Sequence, residues 1–186
     1  MRLFVALIPP AEVVEELRVS MAALRAELPE PAPVLRWTHP EQWHLTLAFL
    51  GGVGEDSLDE LTRRLGRAAA RHQPLSLSFG GGGRFGNRVL WTRVQGHRNG
   101  LRRLADSARA AARRSGLPVE QRPYRPHLTL ARADGAVDLR PLVERLATYA
   151  GQPWVATRLH LVCSRLGAGP DGSALHVPTA SWPLDG

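Results

Sequence analysis

The chain has 186 residues and a formal net charge of +7, and its 44% hydrophobic and 22% charged residues are ordinary for a globular protein. This length can bury a core without disulfides, as one large domain or two small lobes. The single cysteine, Cys163, excludes an internal disulfide and fits a reducing cytoplasm. The apolar run over residues 3–8 is too short for a signal peptide or a membrane span. We therefore expect a cytoplasmic protein that does not enter a membrane.

The basic residues are all arginines, 24 in number, and the sequence contains no lysine. Arginine binds phosphate with a planar fork of donors and suits nucleic-acid backbones. The choice of arginine over lysine, beside abundant alanine, glycine and proline, also fits a GC-rich gene. The positive excess itself favours an anionic partner.

In chain order the sequence predicts alternating strands and helices. A nearly continuous apolar strand over residues 2–8 is followed by a helix over 11–27, where apolar residues recur at helical spacing. Pro10 suits the start of that helix, and a loop is expected over residues 29–33. Further strands are predicted over residues 34–38, 43–50, 75–79, 88–94, 153–163 and 175–182, and further helices over 99–114, over 139–150, and from a cap at Asp56 or Ser57 to about 71.

Glycines mark most of the predicted turns. We expect a turn over residues 51–54, a flexible hairpin linker over 80–83, a helix end at Gly116 and a turn over 167–172. The run over 80–83 lacks the Gly-Lys-Ser/Thr ending of a phosphate-binding loop. Half-exposed strands that are often linked by hairpins favour an antiparallel α+β fold over a parallel, doubly wound sheet.

The tetrapeptide His-Leu-Thr-Leu occurs twice, at residues 44–47 and 127–130. Its polar and apolar residues alternate, so on a strand the leucines share one face and the His/Thr pair the other. One such copy is typical of the solvated side of a sheet. Two identical copies, each followed by alanine, instead indicate two pseudo-symmetric lobes that face each other across a cleft. The cleft would then contain two imidazoles and two hydroxyls, which suit acid–base chemistry on a phosphate ester.

At these residues the chain resembles the 2H phosphoesterases, and within them the RNA 2′,3′-cyclic phosphodiesterases, historically called 2′-5′ RNA ligases. The resemblance also takes in Arg36-Trp37, the run His44 to Gly51, Phe85, and the run Arg122 to Arg132. It implies a single bilobal domain over residues 1–186. In that domain, antiparallel sheets with outer helices flank a central cleft, and each lobe contributes one His-x-Thr strand. The stretch after Ser173 departs from the family, which often has an aromatic residue after the Gly-Pro turn.

The resemblance implies hydrolysis of RNA 2′,3′-cyclic phosphate ends to 2′-phosphomonoesters. Two histidines can supply the base and the acid, because their ordinary pKa lies near neutral pH. The hydroxyls of Thr46 and Thr129 can donate to the phosphate oxygens. No metal or cofactor is expected. A zinc site that adds His160 and His176 to the two motif histidines is the alternative.

The resemblance further implies that His44 is the acid and His127 the base, and the flanking residues offer a reason. Arg125, two residues before His127, would disfavour its charged form, whereas Glu41 would favour a charged His44.

Substrate contacts are predicted from arginines and aromatic residues near the motifs. Arginines can bind phosphate and aromatic rings can stack on an unpaired base. Each arginine could equally be a solvated residue at a strand edge, and Trp91, which could also stack on a base, is expected to belong to the core. The predicted substrate-binding residues are Arg88, Arg125, Arg132, Tyr124 and Phe85.

Two other functions fit the same residues. Ligation through a 2′-5′ bond needs no new residues, only a bound 5′-hydroxyl in place of water. A non-catalytic RNA-binding module would use the basic and aromatic residues alone. We expect a monomer, although the sequence does not reveal the oligomeric state. It also does not distinguish among tRNA halves, other cyclic-ended RNA and small cyclic nucleotides as substrates.

Overall fold

The computed structural model describes residues 1–28 and 34–186. The loop predicted over residues 29–33 lies outside the described residues. The described strands are β1 (Arg2–Leu7), β2 (Arg36–Trp37), β3 (Leu45–Gly52), β4 (Leu75–Phe85), β5 (Val89–Gly96), β6 (His127–Arg132), β7 (Trp154–Ala156), β8 (Arg158–Arg165) and β9 (Leu175–Pro183). The described helices are α1 (Ala11–Ala26), α2 (Glu55–Ala69), α3 (Arg98–Arg114) and α4 (Arg140–Leu146), with 3₁₀ turns at Pro40–Gln42 and Pro170–Gly172.

The strands form two sheets, and within each sheet the neighbouring strands pair antiparallel. The first sheet has the order β3-β1-β8-β9, and the second has the order β2-β6-β5-β4-β7. One copy of the tetrapeptide belongs to each sheet, through β3 at an edge of the first and β6 in the second. The predicted α+β class, with one motif strand in each lobe, is confirmed.

The alternation within each motif separates the core from the cleft. Leu45 and Leu47 are at most 1% exposed, and Leu128 and Leu130 are fully buried. The histidine and threonine of each copy lie on the opposite face and are only partly buried. Because both leucines of each strand point inward, a shift of register by one residue would bury the polar pair instead.

The glycine run over residues 80–83 is not a flexible linker, because it continues strand β4 to Phe85. The reason is close packing. A Cβ atom at Gly83 would overlap the indole ring of Trp91 on the neighbouring strand, and one at Gly82 would lie 2.7 Å from Cβ of Leu146. Glycine at these two positions leaves room for the side chains of Trp91 from β5 and Leu146 from α4 to pack directly against β4.

Other differences from the sequence prediction concern boundaries. Gly51 and Gly52 end strand β3 by pairing with β1 instead of forming a turn. Helix α2 begins at Glu55, with Gly54 at the N-cap and no side-chain cap from Asp56 or Ser57. The strand predicted over 153–163 is interrupted at Thr157, and α4 is shorter than predicted.

A membrane-spanning helix must be long and predominantly apolar. None of the helices in residues 1–28 and 34–186 is long and apolar enough to cross a bilayer.

Candidate active site

A cleft of about 1010 Å³ lies between the two sheets, and both His-x-Thr pairs line it. His44 and Thr46 reach it from the start of β3, and His127 and Thr129 reach it from β6. Its volume is at the upper end of ordinary ligand pockets, so a nucleotide fits within it. The structure thus brings the four predicted catalytic side chains into one site.

Each imidazole is held by a hydrogen bond to the main-chain carbonyl two residues before it. Nδ1 of His44 lies 2.7 Å from the carbonyl oxygen of Gln42, and Nδ1 of His127 lies 2.7 Å from that of Arg125. A carbonyl can only accept, so each Nδ1 carries the proton and donates it. Each ring is therefore fixed in one tautomer, and its Nε2 is the nitrogen left for proton transfer.

Aromatic rings surround each histidine. The His44 ring lies 4.6 Å from that of Phe4 and 5.0 Å, edge to face, from that of His176. The His127 ring lies 4.9 Å, edge to face, from Phe85, and 5.9 Å from Trp91. These walls restrict how each imidazole can turn and remove water from around it.

Burial lowers the pKa of both histidines. The pKa of His44 falls to about 4, mainly through burial, with smaller contributions from His176, His127 and Arg132, against a raising effect of the Gln42 carbonyl. The pKa of His127 is lowered by burial and by Arg132, against the raising effect of its own carbonyl partner. Both rings are therefore neutral in the free protein at pH 7.

The charge predicted for His44 is thus wrong, whereas His127 is neutral as predicted but for a different reason. Glu41 is exposed, and it does not hold His44 in the protonated form, since burial dominates. The charge that acts on His127 comes from the Arg132 side chain, whereas Arg125 contributes its main-chain carbonyl. The assignment of acid and base therefore needs another basis.

Four arginines line the cleft, opposed by one carboxylate among the lining residues. Arg125 and Arg132 are there as predicted, and the sequence analysis did not single out Arg2 and Arg122. The carboxylate is Glu120, whose Oε1 lies 3.2 Å from Nε of Arg122. The cleft is therefore a positive surface suited to an anionic ligand.

Two predicted substrate contacts do not reach the cleft. The guanidinium of Arg88 lies close to Gly135, and Arg88 does not line the cavity. The ring of Tyr124 lies 5.5 Å from the guanidinium carbon of Arg109, and its hydroxyl is buried without a partner among the described residues. Burial also raises the pKa of Tyr124. Phe85, by contrast, lines the cleft as predicted.

The geometry can be compared with that of known proteins. The model of the 2′-5′ RNA ligase superfamily matches residues 8–167. The chain belongs to this superfamily. Its fold agrees with a crystal structure of LigT from Escherichia coli complexed with 3′-AMP, with a TM-score of 0.76 and 30% identity, covering 100% of this chain and 98% of the other.

Two curated relatives from the superfamily are both named RNA 2′,3′-cyclic phosphodiesterase. The protein from Bacillus subtilis is 38% identical over 101 residues, which are 52% of this chain and 55% of the relative. The protein from E. coli is 34% identical over 142 residues, which are 75% of this chain and 77% of the relative. The match with the B. subtilis protein thus spans only about half of its length.

His176 and Gln42 line the cleft but were not predicted to do so from the sequence, where His176 was named only as a ligand of the alternative zinc site. His176 has no local signal, because β9 reaches the site only through the strand order of the first sheet. His176 also provides an aromatic ring in the stretch where the family comparison predicted a departure.

The zinc alternative requires at least three ligands close together. Within residues 1–28 and 34–186, no three or more His, Cys, Asp and Glu side chains form a group that could hold a metal ion. The ligand set proposed with His160 and His176 is therefore not assembled in the described part of the chain.

Proposed function

We propose that the chain hydrolyses the 2′,3′-cyclic phosphate at the end of an RNA strand and leaves a 2′-phosphomonoester. The observation that carries the proposal is the pair of imidazoles in one basic cleft, each with Nδ1 held by a carbonyl and Nε2 left for proton transfer. The superfamily and the names of the relatives support the same chemistry. We further propose that residues 1–186 act as one bilobal domain and as a monomer.

The reaction requires one base and one acid on opposite sides of the phosphorus. Nε2 of His127 takes a proton from water as its oxygen attacks phosphorus. The bond between phosphorus and the 3′ oxygen breaks, and that oxygen receives a proton from Nε2 of His44. The products are a 2′-phosphate and a free 3′-hydroxyl. The assignment of His44 as acid follows the family resemblance.

His44 must gain a proton before it can act as the acid. With a pKa of about 4 it is neutral in the free protein at pH 7. A phosphodiester anion in the cleft favours the imidazolium, because an opposite charge within a few ångströms raises the pKa of a histidine. Substrate and proton therefore bind together, and the proton is in place only when a phosphate is present to use it.

The threonines and arginines stabilise the charge on the phosphate. The Thr46 and Thr129 hydroxyls line the cleft on the two motif strands and can donate to the non-bridging oxygens, where charge grows in the transition state. Arg125 and Arg132 contribute positive charge without the need for a precise contact. These residues need no metal for the steps described.

Turnover of an oligonucleotide with a 2′,3′-cyclic phosphate end, in the presence of EDTA, tests this function. We expect hydrolysis with a 2′-phosphate as the product. Absence of turnover would contradict the proposal that the chain is a phosphodiesterase and would favour a non-catalytic RNA-binding module. Turnover that appears only after metal is added would reject the metal-free mechanism.

Ligation is the second candidate, because the superfamily carries that name. The same residues would keep the same roles if a 5′-hydroxyl took the place of water: His127 would take its proton, and the departing 3′ oxygen would receive a proton from His44. Incubation of paired RNA halves separates the two reactions by their dominant product. A panel that varies RNA length at a fixed cyclic end, together with small cyclic nucleotides, would define the substrate.

A further inference from the structure

Gln42 is hydrogen-bonded both to His44 and to His176. Its main-chain carbonyl accepts the proton of His44 Nδ1 at 2.7 Å. Its side-chain Oε1 accepts the main-chain N–H of His176 at 2.5 Å, across 134 residues of sequence. The Gln42 side chain also lines the cleft. Gln42 thus contacts both His44 and His176, the two histidines of the first sheet that line the cleft.

The second of these bonds joins two strands that are not neighbours. Gln42 ends the 3₁₀ turn that leads into β3, and His176 lies on β9. These strands form opposite edges of the first sheet, with β1 and β8 between them. The bond therefore joins the two edges directly beside the cleft. The hydrogen bonds within the sheet connect these edges only through β1 and β8.

The rings held by this tie contact one another. The centroids of His44 and His176 are 5.0 Å apart, and those of Phe4 and His176 are 5.1 Å apart. Phe4 in turn lies 4.6 Å from His44. If β9 moved away, His44 would lose the ring that lies against it on one side. The orientation of His44 thus depends on the position of His176.

The second lobe has no such tie among the described residues. The Arg125 carbonyl holds His127 as that of Gln42 holds His44, but the exposed Arg125 side chain makes no hydrogen bond in the described part of the chain. The rings beside His127 are Phe85 and Trp91, which cannot titrate. Each imidazole therefore donates the same kind of hydrogen bond to a main-chain carbonyl. The residue that supplies this carbonyl makes a further side-chain hydrogen bond only at His44, among the described residues.

We propose that Gln42 is a positioning residue, which fixes His44 through its main-chain carbonyl and fixes the His176 strand against it through its side chain. This proposal rests on the proposed function for its effect on turnover. It also makes a claim about the His44 ring that does not need turnover. The two claims can therefore fail separately.

The experiment compares three variants with the wild-type protein. Gln42→Ala removes the side-chain acceptor but leaves the carbonyl that holds His44. Gln42→Glu keeps an acceptor for the His176 N–H and adds a negative charge beside the cluster. Gln73→Ala, at an exposed glutamine, is the matched control. The readouts are kcat and KM on a cyclic-phosphate oligonucleotide, and the NMR titration of the His44 ring in the free protein, assigned with a His44→Asn variant.

Gln42→Ala should lower kcat by about 10- to 100-fold with KM changed less than about twofold, because a misplaced acid slows the chemical step more than it weakens binding. Its His44 ring, less enclosed, should titrate closer to the ordinary pKa of histidine. Gln42→Glu should keep most of the turnover and raise the pKa of His44, which shifts upward the alkaline limb of the pH profile of kcat, where the acid loses its proton. Gln73→Ala should match the wild-type protein in every readout.

Wild-type kcat together with a wild-type His44 titration in Gln42→Ala would overturn the proposal. If Gln42→Ala does not fold, an unchanged His44 titration in Gln42→Glu would overturn it equally. A wild-type protein that does not hydrolyse cyclic phosphate would reject the proposed function, while the NMR titration would still test the tie.

Discussion

His44 and His127 are held in the same tautomer by the same contact, a 2.7 Å hydrogen bond from Nδ1 to the carbonyl oxygen two residues earlier in the chain. The repeated tetrapeptide therefore extends to a repeated main-chain geometry that presents Nε2 for proton transfer. The two lobes differ in what surrounds this contact, since His176 and Phe4 border one ring and Phe85 and Trp91 border the other.

The threonines should act mainly on the transition state. Thr46→Val and Thr129→Val should each lower kcat by on the order of 10²-fold, as does removal of one oxyanion donor, and should raise KM much less. Steady-state kinetics on a cyclic-phosphate oligonucleotide measures both constants. Near-normal turnover combined with a lower melting temperature would instead assign the hydroxyls to the fold.

The buried neutral His44 should make stability depend on pH. Its pKa is lowered from 6.5 to about 4 on folding, so between these pH values the unfolded state binds more protons than the native state. The free energy of unfolding should therefore fall as pH drops from about 6.5 to about 4. The loss from this group alone is about 3 kcal/mol at most.

Denaturant unfolding at several pH values checks this prediction in the wild-type protein and in His44→Asn, whose amide can still donate to the Gln42 carbonyl. The variant should lose less stability over this range. An equal pH dependence in both proteins would contradict the assigned burial of the imidazole.

The arginines in the cleft should make RNA binding depend on salt. The affinity for a cyclic-ended oligonucleotide should fall with rising salt through counterion release, and a mononucleotide should respond less. A plot of the logarithm of RNA affinity against the logarithm of salt concentration has a negative slope. Arg125→Ala should make this slope shallower by about 0.7 if that side chain neutralises one phosphate of a single strand. Arg88→Ala, which removes the same charge outside the cleft, is the matched control. Equal slopes for the two ligands would mean that the arginine excess reflects coding bias.

The alternation within the motif was enough to predict which side chains line the cleft. Leu45 and Leu128 are buried because apolar residues alternate with the polar residues of each motif strand, and this period acts over single residues. The duplication then located both halves of the site. Both inferences depend on local pattern, which the sequence contains in full.

Features that depend on packing between distant elements could not be predicted this way. Gly83 continues a strand because the indole of Trp91 needs the space of its missing side chain. His176 reaches His44 only through the order of strands in the first sheet. Tyr124, three residues before the start of β6, packs on Arg109 instead. The charge of His44 follows burial by the fold and not its neighbour Glu41.

The most direct test of the two-histidine mechanism uses a phosphodiester whose leaving group has a low pKa and needs no proton. His44→Ala and His127→Ala are compared on this substrate and on a natural cyclic phosphate. The account predicts that both variants are slow on the natural substrate. On the activated one, His44→Ala should recover most of the wild-type rate and His127→Ala should stay slow. The reverse pattern would exchange the acid and the base, and equal recovery would contradict the claim that one histidine is a dedicated acid.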